Sequence, residues 1–154
     1  MAERTAIESL TGATVAISAS LPATYDAAGY GATTITYTAV GKVESIGEFG
    51  PTWGTNGFTP VDTGVTEKVK TTVDYGSLPL VLASLPSDAG QDVCEAATAS
   101  RNRYSVKLTM PDTGVWYLDV LVTKFTQVNG AAGDVRKVNC QFDVCRSPVY
   151  VAQV

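Results

Sequence analysis

The feature that most constrains the fold is an alternating pattern that runs from Val115 to Cys145. In each half of this stretch, four alternating positions are apolar, which puts these side chains on one face of a strand. They are Trp116, Leu118, Val120 and Val122 in the first half and Val138, Cys140, Phe142 and Val144 in the second. The glycines of residues 129–134 suit a turn between the halves. The pattern predicts a hairpin with arms about twice the usual ~5–6 residues. Its other face is mixed, includes Asp119 and Phe125, and suits contact with another copy of the chain.

The rest of the chain predicts short strands joined by turns. Alternation or β-branched residues mark strands over 13–20, 33–37, 40–46, 65–75, 104–110 and 149–154. One helix is predicted over Leu78–Leu85, because leucines recur there at helical spacing and Ser77 and Pro79 suit its start. A further helical turn is placed near Cys94–Ala99. The fold class is therefore mainly β, a β-sandwich or partly closed barrel of about seven to eight strands with one short α-helix.

The length of 154 residues suits one domain. We interpret 1–154 as that domain, with an N-terminal arm at about 1–12 and a long loop at about 47–64. The first ten residues do not have the pattern of a signal peptide. No stretch approaches the ~18 apolar residues of a membrane helix. We therefore expect a protein made in the cytoplasm, with no membrane partner.

The composition argues against catalysis and metal binding. The chain has no histidine, which removes the commonest general base and all histidine-containing metal sites. Asp119 and Asp143 could approach each other across the hairpin, but a solvated strand face explains them better than an acid–base pair. The net charge of −4 comes without a basic stripe, so groove binding to nucleic acid is not expected. We predict no enzyme activity and no cofactor.

The three cysteines are an odd number. Cys140 and Cys145 are five residues apart, so in one strand they point to opposite faces and cannot bridge. Free thiols of a cytosolic product are the favoured interpretation. A bridge from Cys94 to one of the others and a scattered metal site remain as lesser alternatives.

The segment 47–60 combines glycines and prolines with three aromatic residues, Phe49, Trp53 and Phe58. Long loops are uncommon within domains and often functional, and aromatic residues are enriched in the cores of interfaces. We predict that these three side chains make inter-ring or inter-subunit contacts. The alternatives are that they fold onto their own core or that they stack on a ligand such as a sugar.

Three segments in order resemble one family. They are Leu21–Tyr30, Val40–Gly50 and the stretch from Lys68-Val69-Lys70 to Asp74-Tyr75-Gly76. Together they are similar to the major tail tube proteins of bacteriophages with long, non-contractile tails, over roughly residues 13–150. The resemblance implies a virion protein that forms hexameric rings, which stack into a hollow tube for DNA delivery. It also implies that the chain binds other copies of itself and other tail proteins, namely the tape measure, tip and terminator proteins.

Acidic residues would suit the wall of such a tube, because carboxylates repel phosphates and let DNA slide. Two sets are candidates for the lumen. One is Asp119 with Asp143 on the mixed hairpin face, and the other is Glu44 with Glu48.

Two other functions compete with the tail tube. A carbohydrate-binding or adhesin module would use Trp53, Phe58 and Tyr30 as a stacking surface. A tail terminator subunit would form one ring and stop. Electron microscopy separates the three, because they would give tubes, single particles or isolated rings.

Overall fold

The computed structural model describes residues 7–152, in which ten strands and two helices follow one another. The strands are β1 (Thr14–Ser18), β2 (Thr38–Val40), β3 (Val43–Ile46), β4 (Thr52–Phe58), β5 (Glu67–Asp74), β6 (Ser77–Ala83), β7 (Tyr104–Thr109), β8 (Val115–Val128), β9 (Lys137–Val144) and β10 (Val149–Val151). The helices are α1 (Ala27–Tyr30) and α2 (Ala89–Ala99). Half of the expected arm, residues 1–6, and the end of the expected last strand, residues 153–154, lie outside the described residues.

The predicted long hairpin is confirmed and lies at the centre of the main sheet. Its two arms are β8 and β9, and the strand order is β2-β1-β7-β8-β9-β6-β3, with β10 pairing with the start of β8. All pairings are antiparallel. The alternating residues of β8 and β9 are buried in one core with apolar residues from β1, β6, β7 and α2. The mainly β fold class is therefore as expected.

The main sheet curls because its two edge strands are neighbours in the chain. β2 and β3 stand at opposite ends of the strand order, yet only Gly41 and Lys42 separate them. Three peptide steps of 3.8 Å between Cα atoms bring the two ends within about 11 Å. The sheet is thus rolled towards a barrel, and α2 packs against β1, β2 and β8.

The junction between the sheet ends is held by the first turn of α2. Asp88 caps the helix by accepting from Gln91 N (3.0 Å) and also accepts from Gly41 N (3.0 Å). The buried Gln91 amide bonds three backbone groups: it donates to Ala83 O (2.8 Å) and Gly41 O (3.2 Å) and accepts from Leu85 N (3.1 Å). These two side chains tie β2, β6 and α2 together.

The helix predicted over Leu78–Leu85 was wrong. These residues form β6, in which Leu78, Leu80 and Leu82 alternate and are fully buried. Pairing with β9 along the whole strand supplies the backbone hydrogen bonds that a helix would otherwise make. The alternating burial of the leucines therefore prevails over their helical spacing. The long helix is instead α2, of which the sequence pattern indicated only the last turns. The expected strand over 33–37 is likewise displaced to β2.

The predicted long loop at 47–64 was also wrong, because it contains β4. Its partner is β5, and the two make a separate two-stranded sheet. We refer to residues 52–74 as the exposed hairpin.

A bulge in β8 changes which residues face the core. From Val122 to Lys124 the strand advances by two residues while β9 advances by one, so Thr123 is the extra residue. Phe125 then pairs with Cys140 and packs against the core. Its expected place on the opposite face was therefore wrong.

Replacing Gln91 by leucine tests the junction. The Gln91→Leu side chain has a similar size but leaves three partly buried backbone groups without their partner, and a fully buried group would cost about 1–3 kcal/mol. We expect the free energy of unfolding, measured by urea denaturation, to fall by more than about 2 kcal/mol. The control is Gln127→Leu, since Gln127 is exposed and should change stability by no more than about 0.5 kcal/mol. Equal losses in both variants would contradict this role.

Candidate subunit-contact surfaces

The exposed hairpin presents apolar side chains to solvent on both faces. Every residue of β4 is exposed, and in β5 only Val73 is partly covered. Trp53 is 45% exposed, Phe58 67% and Val69 64%. Two-stranded hairpins are marginally stable alone in water, and aromatic residues typically anchor interfaces. The exposed hairpin therefore leaves large apolar side chains in contact with solvent on both of its faces.

A bulge in β5 sorts the residues of the exposed hairpin into two faces. Between the pairs Trp53–Val73 and Thr55–Lys70, β5 advances by three residues and β4 by two. The bulge moves Val73 from the face of Val69 to the face of the lysines. The lysine face consists of Trp53, Thr55, Lys68, Lys70 and Val73, and the phenylalanine face of Asn56, Phe58, Glu67 and Val69.

Glycines form the base of the exposed hairpin on both arms. Gly50 (φ +145°) and Gly76 (φ +84°) have positive φ values, which side chains rarely adopt. They face each other, because a Cβ on Gly76 would lie 3.6 Å from Gly50 O. The Gly50 N–H donates to Tyr75 O (3.1 Å).

The three aromatic residues expected at contacts do not share one environment. Trp53 and Phe58 lie on opposite faces of the exposed hairpin. Phe49 instead packs against the core, with its ring 5.3 Å from the Trp116 ring in an edge-to-face arrangement. The alternative that it folds onto its own domain therefore describes Phe49.

The sugar-stacking surface proposed as an alternative is not assembled. Tyr30 is fully buried and stacks on Tyr117, with ring centroids 5.3 Å apart and 7° between the planes. Trp53 and Phe58 remain on opposite faces of the exposed hairpin. No common platform joins these three rings.

The expectation that Asp119 is solvated was wrong. Its side chain is fully buried, and Oδ2 pairs with Arg103 Nη1 (3.0 Å) and Arg146 Nε (3.2 Å). Arg146 lies over the Tyr25 ring at 3.8 Å. No described residue donates to Asp119 Oδ1. The carboxylate joins β8 to the segments before β7 and after β9 and cannot line a channel of this subunit.

A second buried layer covers Asp119. It is formed by residues 21–37, whose tyrosines pack on the face of β7 and β8 opposite the main core. Tyr37 donates from its hydroxyl to Tyr30 O (2.9 Å). Burial raises the pKa of Tyr30, and the charge of Asp119 adds to the increase. Burial likewise raises the pKa of Tyr37, so both rings stay neutral at physiological pH.

The other lumen candidates lie on the polar side of the sheet or near it. Asp143 points away from the core and accepts from Ser77 Oγ (2.6 Å) and Gln141 Nε2 (3.1 Å). Glu44 occupies a bulge in β3 and pairs with Lys137 Nζ (2.9 Å) across the same face. Glu48 is exposed beyond the end of β3. Glu44 and Asp143 thus share one surface, which we call the polar sheet face.

The cysteines are free thiols in the structure. Cys94 and Cys140 are buried in the core, and Cys145 is exposed. A hydrogen bond with the Cys140 thiol and burial raise the pKa of Cys94, which keeps it protonated and unreactive. Among residues 7–152, no His, Cys, Asp and Glu side chains cluster as a metal site. No helix in that range is long and apolar enough to cross a membrane.

The sequence contains a signal for α2 and the junction that hydrophobic periodicity alone does not reveal. Asp88 and Gln91 have the spacing of a capping box, in which the first residue caps the helix and the third residue after it reaches back. The pairing of Asp119 with Arg103 and Arg146 had no local signal, because the three residues come from separate segments.

Comparisons with known proteins show similarity in structure without similarity in sequence. No family model and no curated protein matches the chain. A chain in the PVC extracellular contractile injection system, described as its sheath/tube terminator in the extended state, has a TM-score of 0.69 at 10% identity, over 96% of this chain and 98% of that one. A chain in the baseplate of the anti-feeding prophage has 0.65 at 11% identity, over 98% of both. A chain in the tail of an empty gene transfer agent particle has 0.61 at 10%, over 75% of this chain and 87% of that one.

The chain therefore shares its β fold with these chains. The expected tail-tube-like architecture is confirmed. Membership of the non-contractile family stays a prediction, because the similar structures come from several kinds of particle.

Replacing Asp119 by asparagine tests the buried ion cluster. The Asp119→Asn side chain is neutral, so the hydrogen bonds from the two arginines lose the carboxylate charge that strengthens them. We expect the free energy of unfolding at pH 7 to fall by about 1–3 kcal/mol, measured by urea denaturation. The matched control is Glu44→Gln, whose pair with Lys137 is exposed and contributes less than about 1 kcal/mol. If both variants lose a similar free energy of unfolding, the buried Asp119 contributes no more to stability than the exposed Glu44–Lys137 pair does.

Proposed function

We propose that this protein is a structural subunit of a tail-like particle, made in the host cytoplasm and assembled into rings that stack as a hollow tube. The observation that carries the proposal is the exposed hairpin, whose two faces both leave large apolar residues uncovered. The similarity in fold to chains of a sheath/tube terminator and of a baseplate supports it.

The exposed hairpin favours association because burying its apolar side chains against another copy lowers the free energy. Burying a side chain such as Phe58 or Val69 contributes about 1.5–3 kcal/mol. A hairpin that projects from one copy onto a different surface of the next makes a heterologous contact, which generates closed rings or open stacks. The gene transfer agent tail was solved with six-fold symmetry, in keeping with hexameric rings.

We further propose that the polar sheet face lines the lumen through which DNA passes. It carries the amides of Asn139 and Gln141 and the hydroxyls of Ser77 and Thr126. Glu44 neutralises Lys137, and Lys124 lies beside Gln141. Such a wall offers phosphates few cationic contacts, so DNA can slide along it. Asp143 and Glu44 are the lumen residues of this proposal, and Asp119 is excluded by its burial.

A terminator ring is the second candidate function. The similarity to the PVC terminator structure extends over nearly the whole of both chains. A terminator would use the same contacts within a ring but would cap a stack instead of extending it. The two functions differ in the length of the assembly.

Electron microscopy of the purified protein, together with sedimentation velocity, tests self-assembly. We expect hexameric rings and tubes at high protein concentration. Phe58→Asp should shift assembly to at least about tenfold higher concentration, because a charge replaces a buried apolar contact. The control is Val135→Asp, since Val135 is also exposed but lies outside the exposed hairpin.

The outcomes separate the candidate functions. Long tubes support a tube subunit, and isolated rings support a terminator. A protein that stays monomeric at all concentrations would refute both functions. If Phe58→Asp begins to assemble at the same protein concentration as the wild type, the exposed hairpin does not form the contact.

Lysine substitutions test the lumen in whole particles. With Asp143→Lys and Glu44→Lys together, we expect tubes to form and DNA delivery to drop by about tenfold or more, because phosphate contacts now hold the DNA. Delivery is measured as transfer of a marker per particle. The control is Asp112→Lys with Asp134→Lys, which changes the charge equally in two turns. Normal delivery by the first variant would refute the assigned lumen face.

A further inference from the structure

We infer that the lysine face of the exposed hairpin docks on the outer face of α2 in a neighbouring copy, with Lys68 and Lys70 pairing with Asp92 and Glu95. The inference rests on the proposed self-assembly and names the partner surface of the exposed hairpin. Its basis is charge complementarity between two surfaces of the same chain.

The lysine face is cationic and aromatic. Lys70 Nζ lies 5.2 Å from the centre of the Trp53 ring, which holds the ammonium group beside an exposed indole. Lys68 extends from the same face two residues away and makes no ion pair with a described residue. Such a face favours a partner that supplies carboxylates beside a flat, small-residue surface.

The outer face of α2 has this composition. Asp92 and Glu95 are exposed and make no ion pair with a described residue. The other exposed residues of the helix are small, namely Ala89, Ala96, Thr98 and Ala99. A strand can therefore approach the helix closely.

Several other carboxylates of the main body fit less well. Asp143, Glu44 and Asp119 already have partners within the chain. Asp88 is occupied by the helix cap and by Gly41. Glu48 is exposed but stands apart from these pairs and offers a single charge.

The spacing of the two pairs also matches. Lys68 and Lys70 are two residues apart on one strand face, which puts their Cα atoms about 6.7 Å apart. Asp92 and Glu95 are three residues apart on a helix, where Cβ atoms lie about 5–6 Å apart. Both lysines can therefore reach one carboxylate each at the same time, and Trp53 would cover the exposed alanines beside the two carboxylates.

A charge exchange tests the contact by the protein concentration at which assembly begins, measured by sedimentation and electron microscopy. The Lys68→Glu, Lys70→Glu variant and the Asp92→Lys, Glu95→Lys variant should each raise that concentration at least tenfold. The variant with all four changes should return to within about threefold of the wild type, because the pairs are restored with reversed sign. The matched control, Lys42→Glu with Arg101→Glu, makes the same change in net charge at two exposed residues off the exposed hairpin and should assemble normally.

Failure of this inference differs from failure of the proposed function. If the wild type assembles and the four-change variant is no better than the two-change variants, the assigned contact is wrong while self-assembly stands. If the wild type stays monomeric, both are overturned. Circular dichroism and the melting temperature of each variant show whether it is folded, and the return of assembly in the four-change variant cannot come from unfolding.

Discussion

The Gln91 amide holds the closed end of the sheet, because it bonds three backbone groups that come from the β2–β3 link, from β6 and from the segment before α2. The ends of a sheet expose backbone donors and acceptors, and a rolled sheet must either join them or satisfy them by other means. Here Gln91 and Asp88, both from the first turn of α2, bind the short link between β2 and β3 and the end of β6. The helix therefore contributes more than apolar packing, because it fixes how far the sheet curls.

The two sides of the sheet are put to different uses as a result. The inner side holds the main core, and residues 21–37 cover part of the outer side with tyrosines over the buried Asp119 ion cluster. The rest of the outer side is polar along β9 and at Ser77, the first residue of β6. A strand pair that takes no part in either core, β4 and β5, remains for contact with other molecules.

The sequence predicted the elements whose pattern is local and failed where a distant partner decides. The β8–β9 hairpin followed from alternation alone, because its two arms supply each other's hydrogen bonds. Leu78 to Leu85 fits a helix by spacing, and only pairing with β9 makes it a strand. Phe125 and Val73 change faces because of bulges, which alternation does not reveal. Of the candidate site, Trp53 and Phe58 were placed at the surface correctly. Phe49 and Asp119 were not, since Trp116 and two arginines from remote segments cover them.

The facing glycines Gly50 and Gly76 have a mechanical consequence. Backbone without side chains can change its torsion angles at little cost, whereas the hydrogen-bonded ladders on either side resist such change. Small changes in these torsion angles would therefore tilt the exposed hairpin relative to the main sheet without changing the register of either sheet. A filament whose subunits are joined through the exposed hairpin would bend at Gly50 and Gly76. Its flexibility would then depend on these two glycines, and the affinity between subunits would not change.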